Sequence, residues 1–222
     1  MEKTDNSMCE KFLSLPLFHG LNRRDFFDVI STLKLDFRKY RVGDFIAMQG
    51  DVCDSLICVI DGDINVEYRD ESIAFILTEK MVEMPSLIEL HNLFGVRHTY
   101  ERSYISMAES RALIIDKHVF LFRLMEQPIV RNNLINLLCN QLRKSNDERG
   151  YKVPCSIDEK LRSCLLSYCS ICGGEKIIRT RMCDLASMIG VSKMKVSNIL
   201  HKWQQDSLVE MTRNSFIIKD LK

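Results

Sequence analysis

Long apolar runs are missing from this sequence: no stretch approaches the ~20 consecutive apolar residues that a membrane helix needs. The opening MEKTDNSMCEKF carries acids and no apolar signal stretch. A cytoplasmic chain with no membrane partner is the expectation. Internal repeats and low-complexity tracts are also missing, which argues against an array or a disordered linker. Catalytic signatures are lacking as well: there is no G-x-S-x-G, no phosphate loop and no H-E-x-x-H, so no catalytic residue is assigned and the chain is not read as an enzyme. The histidines at 19, 91, 98, 118 and 201 are scattered without H-x3-H spacing, and no zinc or other metal site is indicated. Nine cysteines without a secretion signal read as reduced packing thiols rather than a disulfide framework.

What is present is an ordinary globular composition, 46% hydrophobic and 27% charged, with an uneven charge distribution. Of 31 Lys/Arg and 30 Asp/Glu, residues 175–222 hold 9 and 5, leaving 22 and 25 for the rest. A small basic end on a slightly acidic body suits a phosphate-bearing partner.

Residues 8–34 show helical spacing broken at Pro16 and Gly20, and two short helices fit there. From Leu35 to Asp116 the period shortens. DFIAM, SLICVID, DINVEY, SIAFIL, SYISMAE and ALIID read as successive strands with Gly43, Gly50 and Gly62 in turns, which argues a small antiparallel barrel or roll. HVFLFRLMEQ then reads as one helical piece. Pro128 opens a long helix to about Arg149, with one apolar stripe through Val130, Leu134 and Leu137 and a second through Ile135, Leu138 and Leu142. The second stripe fits a second subunit or the helix's own domain. Gly150 and Pro154 look like a hinge, and Ser156 with Glu159 is a capping box for the next helix. The organisation is α+β: a β-roll sensor over 1–127, a long dimerisation helix over 128–150, and a DNA-binding unit over 151–222.

The stretch TRMCDLASMIGVSKMKVSNIL (180–200) carries the functional argument. Leu185 and Ala186 fall on a first helix, Gly190 sits where the turn needs a positive φ, and Ser192 can cap a second helix. At 100° per residue, Val196, Ile199, Leu200 and Trp203 share one face of that helix, leaving Met194, Asn198, His201 and Gln205 opposite with Lys193 and Ser197 flanking. Asn can pair bidentately with adenine, Lys can reach guanine or phosphate, and Met can touch a thymine methyl. Lys193, Met194, Ser197 and Asn198 are therefore candidate base readers. Thr180, Arg181, Ser192 and Lys195 are candidate phosphate contacts. SLVEM and SFIIK then form a hairpin whose tip holds Arg213 and Asn214, further phosphate contacts. The plainer alternative is a helical hairpin and a β-hairpin with solvated charges.

In this order of elements, and in 180–200 with its following hairpin, the chain resembles the CRP/FNR family of bacterial regulators. The resemblance covers nearly the whole chain. It implies a cyclic-nucleotide-binding-like roll (a double-stranded β-helix), a homodimer on pseudo-palindromic double-stranded DNA, and contact with RNA polymerase if the protein activates. Lys193, Met194 and Asn198 fall where the family reads bases, but differ from the Arg-Glu and later Arg of the catabolite activator pattern, so a different operator is implied. For an effector, Glu89, Arg102, Ser103, Ser145 and Asn146 occupy the family's cyclic AMP positions. Ile88, however, replaces a glycine that lets phosphate approach backbone, so an unknown effector other than cyclic AMP is expected; the plain reading of Arg102 is a partner for Glu101 or Glu109. The lone Cys9 does not support an N-terminal iron–sulfur cluster. Two alternatives stay open: a ligand-binding signalling module acting through protein contacts, and a redox-responsive regulator using Cys164, Cys169 and Cys172, whose C-x4-C-x2-C spacing is used by some clusters.

Overall fold

A run such as SLICVID, apolar at successive positions, is stable only as a strand covered on both faces, and strand β3 (Ser55–Asp61) has Leu56, Ile57, Cys58, Val59 and Ile60 all buried. The computed structural model describes residues 10–26, 36–148, 154–171, 173–212 and 215–219. Around β3 are β1 (Asp36–Tyr40), β2 (Phe45–Ala47), β4 (Ile64–Asp70), β5 (Phe75–Lys80), β6 (Ser86–Ile88), β7 (Ser103–Ser106) and β8 (Ser110–Asp116). One sheet has the order β1-β8-β3-β6, and β5-β4-β7-β2 belong to the other, all antiparallel. The antiparallel roll expected from the spacing of short strands is therefore present.

Gly62 turns β3 into β4 with φ +132°, and a Cβ there would lie 2.1 Å from the Ser110 hydroxyl oxygen. Only glycine lets the two strands approach so closely at this corner. Cys58 lies at the centre of the roll, and burial pushes its thiol up to about 12, a packing group rather than a reactive one.

Several elements differ from expectation. β1, β6 and a ninth strand, β9 (Lys176–Arg179), were not anticipated. SIAFIL begins not as strand but as a 3-10 turn over Glu71–Ile73, because the Asp70 carboxylate accepts from the Ser72 amide and hydroxyl; Ala74 then takes a left-handed φ of +45° and the strand starts at Phe75. HVFLFRLMEQ is not one helix. Asp116 caps α1 (Lys117–Phe122) by accepting from His118 and Val119 amides, Arg123 leaves the helical region at φ −126° and ψ −57°, and a 3-10 turn over Leu124–Glu126 follows.

Helix α2 (Pro128–Glu148) buries Val130 and Leu134 in the roll core, with Leu137 and Leu138 partly buried beside them. Asn133 clamps the helix to the N-terminal segment by donating to the Leu17 and His19 carbonyls at 3.1 and 2.8 Å. Of the second stripe, Leu138 packs against the roll core while Ile135, 57% exposed, and Leu142, 63% exposed, face outward. The Gly150 end of the expected hinge lies outside the described residues.

The C-terminal unit comprises α3 (Ile157–Tyr168), β9, α4 (Met182–Met188), α5 (Lys193–Gln205), β10 (Val209–Met211) and β11 (Ser215–Ile218). The Ser156–Glu159 capping box opens α3 as expected. This unit's core is Leu161, Leu165, Ile178, Leu185, Val196, Leu200, Trp203, Val209, Phe216 and Ile218, joined by two residues from the roll, Phe75 and Leu77. The reason is β9, which pairs on one side with β11 and on the other with β5, in the register Ile76↔Arg179 to Glu79↔Lys176. Roll and C-terminal unit thus share a seven-stranded sheet, β10-β11-β9-β5-β4-β7-β2.

Candidate nucleic-acid interface

The turn between α4 and α5 follows from two residues. Gly190 adopts φ +67°, and no atom lies within 4 Å of where a Cβ would stand, so its glycine answers to backbone conformation and not to crowding. Ser192 occupies the N-cap position with extended backbone, but its hydroxyl makes no capping bond, contrary to the expectation of a side-chain cap. The first amides of α5 accordingly keep donor capacity for an outside acceptor.

Helix α5 is pinned from within. Val196, Leu200 and Trp203 are buried. The Trp203 indole donates to Asp158 at 2.7 Å, and the Arg162 guanidinium lies over the same ring at 5.1 Å. The other face is open: Met194 is 70% exposed, Lys193, Lys195, Asn198 and His201 are exposed, and Ser197 is half-buried. Among the described residues, no hydrogen bond or ion pair engages the side chains of Lys193, Ser197 or Asn198.

Thr180 and Arg181 stand at the start of α4, in a cleft of about 400 Å³ that Thr212, Ser215 and Met211 of the β10–β11 hairpin also line. Arg181 donates to Asp184 at 2.6 and 3.1 Å, and that guanidinium holds the Asp184 carboxyl below the usual carboxylate range. Arg213 and Asn214 at the hairpin tip lie outside the described residues.

The effector positions have different partners within the protein. Glu89, in a left-handed turn at φ +34°, accepts from the Asn92 side chain at 2.8 Å, the Glu101 amide at 2.7 Å and the Tyr104 hydroxyl at 3.2 Å, so the protein's own donors occupy its carboxylate. Burial, with Glu89 beside it, raises the Tyr104 phenol well above its ordinary value, keeping it a donor. Arg102 pairs with neither Glu101 nor Glu109. It turns to the C-terminal unit, donating to the Tyr168 carbonyl, standing 3.6 Å from Glu79 and lying over the Tyr68 ring. The Ser103 hydroxyl accepts from the Gln49 amide at 3.0 Å, Ser145 is half-buried and Asn146 is exposed on α2.

Cys164 is partly buried with its thiol raised by desolvation, and Cys169 donates to the Leu165 carbonyl. Cys172 lies outside the described residues. A second link between the units is β9, whose four residues KIIR follow Gly173-Gly174-Glu175 and are too few to show a period.

Residues 159–222 match the family model of the Crp-like helix-turn-helix domain. No curated protein matches the chain in sequence. Among solved structures, the Thermus thermophilus catabolite activator protein is similar at 21% identity, covering 93% of this chain and 94% of that one, with a TM-score of 0.54. A putative regulator of the crp/fnr family from Eubacterium rectale is similar at 18% identity, with 93% and 94% covered and a TM-score of 0.53. The c-di-GMP responsive global regulator CLP of Xanthomonas campestris is similar at 14% identity, with 88% and 99% covered and a TM-score of 0.51. Together with the exposed outer face of α5, these likenesses identify the C-terminal unit as a Crp-like helix-turn-helix DNA-binding domain, carried on a chain with the CRP/FNR-type transcription regulator fold.

Proposed function

We propose that the protein is a sequence-specific transcription regulator that acts as a homodimer on pseudo-palindromic duplex DNA, by binding and without turnover. The observation that carries this reading is the outer face of α5, exposed and polar on a helix pinned through Trp203. Lys193, Met194, Ser197 and Asn198 read base edges in the major groove, while Thr180, Ser192, Lys195, Arg213 and Asn214 hold phosphates. Arg181 joins them where a phosphate draws it from Asp184. Two such helices reach successive major grooves only from a dimer. The exposed stripe of α2, Ile135 and Leu142 with Ile129, supports that pairing. If the protein activates, RNA polymerase is its further partner.

Cyclic AMP is not the effector in this reading, because Glu89 and Arg102, which would hold its ribose and phosphate, are bonded to the protein itself. A randomised-site selection tests the central claim: wild type should enrich a two-fold-related motif, and Asn198→Ala should relax it at one or two base pairs per half-site. An unchanged motif would remove Asn198 from the reading face. Affinity should also fall steeply with salt. In sedimentation, Ile135→Glu should shift the protein towards monomer.

A further inference from the structure

Helix α5 reads KMKVSNILHKWQQ from Lys193 to Gln205 and contains no arginine, aspartate or glutamate. In the major groove that composition is informative. Guanine presents two acceptors, which the fork of an arginine fits, and the cytosine amino group is met by a carboxylate. Adenine presents one donor and one acceptor, which match a carboxamide, and thymine alone presents a methyl group. The helix lacks the commonest reader of guanine and the carboxylate reader of cytosine, and keeps the groups that answer to adenine and thymine.

The structure places those groups together. Met194, in the first turn, is 70% exposed, and Asn198, one turn on, is exposed with no hydrogen bond to its side chain among the described residues. The Met194 thioether is the apolar group of an otherwise polar face, as the thymine methyl is of the groove floor. Four residues separate the two, about 6 Å of rise, against roughly 7 Å for two base-pair steps. With Val196, Leu200 and Trp203 buried behind, and the indole bonded to Asp158, the helix cannot turn about its axis to present a different set.

Neighbouring cations do not restore guanine reading. Arg162 lies over the Trp203 ring on the inner side, Arg181 donates twice to Asp184 at the start of α4, and Arg179 is on β9. Lys193 is the base-reading cation that remains, an ammonium without a planar fork, and it accounts for at most one guanine.

Resting on the DNA-reading role of α5, we propose that the protein's target is a half-site with an A·T centre. Asn198 bonds the N6 and N7 atoms of an adenine, Met194 packs on the methyl of a thymine about two base pairs away, and no more than one G·C pair, facing Lys193, is held by direct readout.

Randomised-site selection identifies the half-site, and two atom-sized changes in the DNA then test each contact. Replacing each invariant adenine of one half-site in turn by 7-deazaadenine removes N7 alone, and replacing thymine by uracil removes the methyl alone. Wild type should lose about fivefold in affinity at one adenine and about fourfold at one thymine. Asn198→Ala should be insensitive to 7-deazaadenine and Met194→Ala to uracil, while each variant keeps its sensitivity to the other change. Asn198→Arg should move the preference at that one pair from A·T to G·C. Two or more invariant G·C pairs in the wild-type half-site, or equal losses in wild type and variant, would overturn the assignment while leaving DNA reading in place. If wild type bound no duplex at all, the DNA-reading role would be lost and the assignment with it.

Discussion

The outer face of α5 and the Glu89–Arg102 region of the roll are both rich in polar side chains, yet they differ in where those side chains find partners. Lys193, Ser197 and Asn198 find none within the described protein, whereas Glu89 has three donors and Glu79 is enclosed by Lys176, Ser170 and Ile171. A polar group at a surface loses little by waiting in water, but a buried one must be bonded internally or it opposes folding. Polar residues that stabilise the fold and polar residues that recognise a partner can thus be told apart by whether the protein already satisfies them.

The comparison is sharpest where satisfaction is removed. Lys176→Met takes from the buried Glu79 carboxylate its nearer cation, leaving only Arg102 at 3.6 Å, and chemical denaturation should show a loss of about 3 kcal/mol. Tyr104→Phe removes one of the three Glu89 donors and should cost about 1–3 kcal/mol in the same assay. Gly190→Ala asks an L-residue to hold a left-handed turn with free space around it, so its cost should be about 1–2 kcal/mol from backbone alone. Asn198→Ala should change stability by no more than about 0.5 kcal/mol; a larger loss would mean that the outer face of α5 serves folding after all.

A pH titration separates a third kind of group, half-exposed and paired. Asp61 lies below its ordinary pKa because Arg111 and then Lys11 hydrogen-bond to it. Its folded-state value is depressed, so the stabilisation is complete above the unfolded carboxylate range and disappears as pH falls through the lower folded value. Asp61→Asn should flatten the acid limb of the stability curve below about pH 4 without altering the plateau shape near neutrality.

Legibility in the sequence tracked how local each determinant was. Gly190, the Ser156–Glu159 box and the buried face of α5 depend on residues within one or two turns, and each was readable from spacing. β3 was readable because the unbroken apolar run from Leu56 to Ile60 has few other uses. β9 was not: four residues after a glycine pair carry no period, and the strand exists because β5 and β11 flank it. The break at Arg123 escaped for a similar reason, since its apolar neighbours keep helical spacing through a non-helical residue. Glu89 has one local partner, Asn92, but its bond from the Glu101 amide and the bond of Arg102 to Tyr168 span 12 and 66 residues, and no short window on the chain contains that information.

Phe75 and Leu77 are encoded in the roll yet have no exposed surface only because the C-terminal unit covers them. Dissection of the protein near residue 150 would therefore not yield two self-sufficient pieces. The N-terminal fragment would present two large apolar side chains on an unpaired strand edge, a surface prone to self-association, and the C-terminal fragment would lack part of its interior. In evolutionary terms neither half can be exchanged alone: a transplanted DNA reader would have to bring a strand that fits β5, so the boundary seen in the sequence is not a line along which this molecule can be recombined.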